Sequence, residues 1–160
     1  EMVKTDASNR KHQNEKYIDV LSSSIEICAG ILRLEGYMVW FYQDYNLVHW
    51  GQIYETAFKN NLSIEDVIPL SKQRRSMKAV TSPGRTFDGD LIIIFKKKDN
   101  LKKTGWTISQ AENRCREIIR QNSSLFTRYS YLIKDGMVNG WLTAISKKYK
   151  TVNNLIESLA

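Results

Sequence analysis

With 160 residues and a formal net charge of +7, the chain has room for one domain, or one domain with a small appendage. Apolar residues make up 42% and charged residues 26%, which excludes a disordered composition, and no apolar run reaches the roughly 18 residues of a membrane span. The positive excess favours polyanions as partners, nucleic acid first and acidic membrane surface second.

Residues 1–15 read as a polar, flexible lead-in without a signal-peptide core, and a start on Glu1 reads as an excised or processed fragment. From Lys16 to Glu35 the apolar positions Ile18, Leu21, Ile25, Cys28 and Leu32 step by three and four, one stripe along a helix. Gly36 is expected to end it in a left-handed conformation. The run "YMVWFYQ" predicts a strand covered on both faces, with Trp40 and Tyr42 on one face and Phe41 on the other. Leu47, Trp50, Tyr54, Ala57 and Phe58 trace a second amphipathic helix to about Asn60, with Trp50 stapling it to the sheet.

"SIEDVIPL" is β-prone, and Pro69 places it at an edge or a strand end. A basic loop with the turn "SPGR" follows, then "DGDLIIIFKK", which reads as a strand buried on both faces. The order helix, strand, helix, strand, strand lets the first two strands lie parallel and pairs the last two antiparallel. After the polar "NLKKTGWT", Ser109 and Glu112 suggest a capping box for a helix carrying Ala111, Cys115, Ile118 and Ile119. Val138, Trp141, Leu142 and Ile145 mark another helix after a turn at "KDG". Val152, Leu155, Ile156 and Leu159 mark a last one, capped by Thr151. Residues 107–160 thus read as a small helical appendage to an α/β segment over 16–100.

The charge is placed unevenly. Between Lys72 and Lys98 there are eight basic residues against Asp88 and Asp90, nearly the whole excess. Arg74, Arg75, Ser76, Lys78 and Arg85 are the candidate nucleic-acid contacts. Guanidinium pairs bidentately with phosphate and reads guanine edges, and small hydroxyls supplement it. The bland alternative is a solvated loop that keeps the protein soluble. Asp88 and Asp90 read as turn carboxylates, and Lys96, Lys97 and Lys98 as a solvated strand end. Tyr129 and Tyr131 with Arg128 read either as a stacking and phosphate patch or as core and rim. His49 has no evident nucleophile partner. Cys28 and Cys115, without Cys-x-x-Cys spacing, read as two buried thiols of a reducing, cytoplasmic protein rather than zinc ligands.

The succession "EGYMVWFYQD", "HWGQIYETAFKNN" and "SIEDVIPLSKQRRSMKAVTSPGRTFDGDLIIIFKK" resembles the later half of the S-adenosylmethionine-dependent DNA methyltransferases that modify exocyclic amino groups of adenine or cytosine. "LRLEGYMVWF" is similar to the turn that precedes the fifth sheet strand of that family. The resemblance covers about Tyr17 to Lys97. It implies part of a Rossmann-like methyltransferase sheet, with the loop "RRSMKAVTSPGR" beside the pocket for the target base. DNA would be the partner and S-adenosylmethionine the cofactor, bound mainly by parts outside this chain, as in restriction–modification enzymes.

The departures are specific. Pro69 and Pro83 have no proline neighbour, so the family's Pro-Pro-aromatic signature is absent, and so is the aromatic-Gly-x-Gly cofactor signature; "KDGMVNGW" does not match. On the resemblance those elements would precede Glu1, and no residue here is a catalytic one. The alternatives are a non-enzymatic basic nucleic-acid-binding module or an interaction module that docks a partner on its helical tail. A half-sheet also leaves an open edge, which calls for the missing N-terminal segment, another subunit or a homodimer mate.

Overall fold

In a computed structural model of the chain, residues 7–71 and 89–160 are described, with side chains from residue 16 onward. Helix α1 (Ala7–Ile31) leads into strand β1 (Tyr37–Tyr42), helix α2 (Leu47–Lys59) and the hairpin strands β2 (Leu62–Ser71) and β3 (Gly89–Lys97). Helices α3 (Ile108–Gln121), α4 (Leu125–Asn139), the single-turn α5 (Leu142–Ile145) and α6 (Val152–Leu159) follow. The fold is mixed α/β, and helix α1 begins at Ala7, inside the expected polar lead-in.

The three strands form one sheet in the order β1-β3-β2, with both contacts antiparallel. The hairpin pairs as expected. Strands β1 and β2 run in the same direction, as a helical crossover permits, yet they do not touch because β3 lies between them. Pro69 sits in the edge strand β2, the position in a sheet that tolerates a residue without an N–H.

The sheet is covered on one face. Phe95 pairs with Met38 and Ile64, and Ile93 with Trp40 and Val67; Ile64, Val67, Leu91, Ile93 and Phe95 are buried. The alternate residues face out: Tyr37, Val39 and Phe41 of β1 are exposed, while Ile92 and Ile94 of β3 are half-buried. This corrects the expectation that both "YMVWFY" and "LIIIF" are covered on two faces. An apolar run marks a doubly covered strand only if a second layer exists, and among the described residues helices supply one layer.

Local signals fixed several boundaries and misplaced others. The Asn46 side chain accepts from the Val48 N–H (3.0 Å) and caps α2, and Thr151 caps α6 by accepting from the Asn154 N–H (3.2 Å). The box on α3 is built by Thr107 and Gln110, not by Ser109 and Glu112. At the end of α1 the positive φ of 63° belongs to Glu35. Gly36 is needed for another reason: a Cβ there would lie 2.8 Å from the Arg33 carbonyl oxygen.

The segment "KDG" does not turn. It is interior to α4, where Gly136 lets the helix close on Leu142 and Trp141. The chain reverses at Gly140, with φ 81°, the left-handed end expected of a helix C-terminus. Residues 107–160 do not stand apart from the sheet. Tyr129, Leu132, Ile133, Met137, Trp141 and Ile145 share one core with Trp50, Ile53 and Phe95. Each buried aromatic ring hides on the order of 200 Å², roughly 5 kcal/mol of transfer free energy before ordering entropy is subtracted. That is too large a term for an appendage free to swing.

Candidate nucleic-acid interface at the loop end of the sheet

Ser71 and Gly89 close the hairpin at the end of the sheet where β1 finishes with Tyr42. Arg74, Arg75, Ser76, Lys78, Arg85 and Asp88 lie between these two residues, outside the described residues. The base from which their segment departs is fixed. A Cβ on Gly89 would come within 2.6 Å of the Leu70 carbonyl oxygen and 2.3 Å of the Phe126 ring, so only glycine lets Phe126 of α4 sit against the hairpin. Behind Phe126, Tyr129 is fully buried and its ring lies 6.3 Å away.

At this same end a polar knot joins four elements around Asp44. Its Oδ2 meets His49 Nδ1 at 2.5 Å and accepts from the Tyr42 hydroxyl at 3.1 Å, while Oδ1 accepts from the Asn46 N–H at 2.8 Å. The Asp44 carbonyl accepts from Trp50 Nε1 (2.7 Å) and from the Tyr129 hydroxyl (3.0 Å). Tyr17 of α1 adds its hydroxyl to that of Tyr42 at 3.2 Å. Burial raises the Asp44 carboxyl, but hydrogen bonds from His49 and the Asn46 amide outweigh it and leave the group below the usual carboxylate range. Tyr42 is pushed well up, first by burial and then by its tyrosine and carboxylate neighbours.

The knot is a latch rather than an acid–base centre. Asn46 Oδ1 is engaged by the Val48 N–H, so its amide nitrogen faces His49 Nε2 at 3.1 Å. That ring nitrogen must accept, and the proton resides on Nδ1, directed at Asp44. Neither nitrogen is left to take a proton from a substrate. The sequence reading missed the pairing because it sought a nucleophile for His49 rather than a carboxylate before the α2 cap.

The remaining candidates are separated from this end. Lys96 and Lys97 finish β3 and Lys98 follows it, roughly 25 Å from Gly89 at about 3.3 Å per residue. Lys96 meets Glu35 at 2.5 Å, Lys97 donates to the Asn60 carbonyl at 2.8 Å, and Lys98 meets Glu65 at 2.6 Å. These three lysines are thus each engaged at the end of the sheet opposite Gly89. Tyr129 is core, Arg128 donates Nε to the Asn122 carbonyl (2.7 Å), and only Tyr131 of that trio is exposed. Cys115 is fully buried, whereas Cys28 is partly exposed.

Both Asp44 oxygens are engaged within the latch, so this carboxylate is not offered to a cofactor; on the resemblance, the glycine-rich turn for S-adenosylmethionine is expected before Glu1 rather than after β1. A groove of about 350 Å³ between β2 and α4 holds Glu65, Asp66, Lys134 and Asp135. Its charges are committed: Lys134 to Asp66 at 2.8 Å, and Asp135 to Arg114 at 2.6 Å and Trp141 Nε1 at 2.7 Å. Among the described residues no helix is long and apolar enough to cross a membrane. No family model matches the chain, and neither a curated protein nor a solved structure matches it.

Proposed function

We propose that this chain is the nucleic-acid-contacting, non-catalytic portion of an amino-group DNA methyltransferase, with the segment between Ser71 and Gly89 as the contact. The observation that carries the reading is the antiparallel hairpin of β2 and β3, whose strands end at Ser71 and Gly89, the two residues between which the sequence carries Arg74, Arg75, Lys78 and Arg85. The order helix, strand, helix, antiparallel hairpin supports it, being the arrangement on which the resemblance rests. The lysines at the far end are tied to Glu35, Asn60 and Glu65, which leaves Arg74, Arg75, Lys78 and Arg85 as the proposed phosphate ligands. Methyl transfer from S-adenosylmethionine to a flipped base would depend on groups outside this chain.

The contact is tested by titrating duplex DNA at several salt concentrations. Replacing Arg74 and Arg75 with alanine should weaken binding and flatten the log–log salt slope by roughly 0.9 per lost phosphate contact. An unchanged slope would remove the loop from the account. A second reading, a nucleic-acid-binding module without enzymatic kin, is favoured by the absence of the Pro-Pro-aromatic and aromatic-Gly-x-Gly signatures from the sequence. A coding sequence upstream of Glu1 with a Pro-Pro-aromatic motif decides for the first reading, and one without it for the second.

A further inference from the structure

The two edges of the sheet are built differently. Edge strand β2 carries Pro69, an irregularity between Ile64 and Asp66, and the charges Glu65 and Asp66 paired to Lys98 and Lys134. Such features discourage another strand from adding. Strand β1 has none of them. Its six residues are all apolar or aromatic, and among the described residues it pairs along one side only, with β3. Tyr37, Val39 and Phe41 are 58%, 52% and 67% exposed, and even Met38, Trp40 and Tyr42, which face the helices, remain half-buried.

Beside β1, helix α1 carries a second apolar row that its sequence stripe does not include. Tyr17, Val20, Ser24, Ile27 and Ile31 recur in steps of three and four, the spacing of a helix–helix seam. Val20, Ile27 and Ile31 are 65%, 67% and 84% exposed. Val20, Ile27 and Ile31 lie on the side away from α2, against which α1 buries Ile25 and Ala29 and to which Ser22 is hydrogen-bonded through Gln52 and Thr56, whereas Tyr17 at the start of the row sets its ring 5.1 Å from His49 of α2.

We propose that both rows belong to one homodimer interface, in which a second copy of this chain adds its β1 antiparallel to β1 and lays its α1 across α1 about a single two-fold axis. Helix α1 runs antiparallel to β1, with the Tyr17 and Tyr42 hydroxyls 3.2 Å apart at one end. From Tyr42 back to Val39 is roughly 10 Å along the strand, and from Tyr17 to Ser24 is roughly 10 Å along the helix. An axis through Val39 therefore passes level with Ser24, the smallest side chain of its row and the one that permits two helices to cross closely. About that axis Tyr37 faces the second copy's Phe41, an aromatic cross-strand pair, and Val20 comes level with the second copy's Ile27. Neither row contains a charged residue, so two chains of net charge +7 meet there without opposing like charges. A two-fold satisfies both rows at once, which is the reason to name a second copy as the occupant.

The proposal does not rest on the function given above, since DNA binding and native mass are read independently. Sedimentation equilibrium of the full chain should give a mass approaching twice 18.6 kDa at micromolar concentration. Ile27→Glu and Val39→Lys alter exposed side chains outside the core, so each should keep the wild-type circular dichroism while weakening the dimer at least tenfold. A wild type that stays monomeric, as it would if a strand of another polypeptide normally takes this edge, overturns the proposal. So does a dimer that either variant leaves intact.

Discussion

Asp44 Oδ2 and His49 Nδ1 lie 2.5 Å apart, and through this pair the end of β1 is fastened to the first turn of α2. The carboxylate also takes the Tyr42 hydroxyl and the Asn46 amide, so its charge is held by three donors. A carboxyl whose value is depressed on folding stabilises the native state above its unfolded value, 3.8, and that contribution is lost as pH falls through the lower folded value. Asp44→Asn should cost about 2–3 kcal/mol at pH 7. Urea unfolding of both proteins as a function of pH checks the sign: the gap should narrow below about pH 4 and stay constant above pH 6. A gap that widens in acid would refute the latch.

Leu132 of α4 is fully buried in the same core as Ile93 of the sheet and Trp50 of α2. Leu132→Ala should therefore destabilise the whole molecule by about 2–5 kcal/mol. Near- and far-ultraviolet circular dichroism should report a single coincident transition for wild type and variant. Two separated transitions would mean that the helices after residue 107 fold on their own.

Gly140 combines a positive φ with close approach: a Cβ there would meet the Tyr54 hydroxyl at 2.3 Å and Thr104 Oγ1 at 3.1 Å. Gly140→Ala is expected to lower stability by about 1–3 kcal/mol, from backbone strain plus displacement of Tyr54. Gly105, where an added Cβ would meet nothing within 4 Å, is the control: Gly105→Ala should leave the melting temperature near wild type.

Lys98 spends its charge on Glu65 at 2.6 Å, at the end of the sheet away from the loop. Lys98→Ala should leave the salt slope of DNA binding unchanged, while the Arg74 and Arg75 variants lower it. Removing the partly exposed pair should alter stability by less than about 1 kcal/mol. A slope that drops equally for Lys98→Ala would move the DNA track onto the strand end.

Burial pushes the Cys115 thiol up to about 12, and its side chain is fully enclosed. Thiolate is the reactive form, so a disulfide reagent at pH 8 should titrate Cys28 in the native protein and Cys115 only after unfolding. Rapid reaction of both thiols would show that α3 opens readily.

Features governed by neighbours in the chain were legible before any coordinates. The stripe of α2, the strand "LIIIF", the edge role of Pro69 and the Thr151 cap all depend on periodicity or on a hydrogen bond spanning a few residues. Features that depend on which surfaces meet were not legible. Gly136 resembles a turn residue until Leu142 and Trp141 are packed on it. Asp44 and Tyr129 become partners only because α4 packs against the end of β1. Strand β3 enters between β1 and β2 because antiparallel pairing satisfies both neighbours at once, a choice of sheet order that no local pattern encodes. The apolar letters of β1 specify a preference for burial, but whether a second layer exists to satisfy it is a property of the assembled layers, and that is why Val39 and Phe41 face outward.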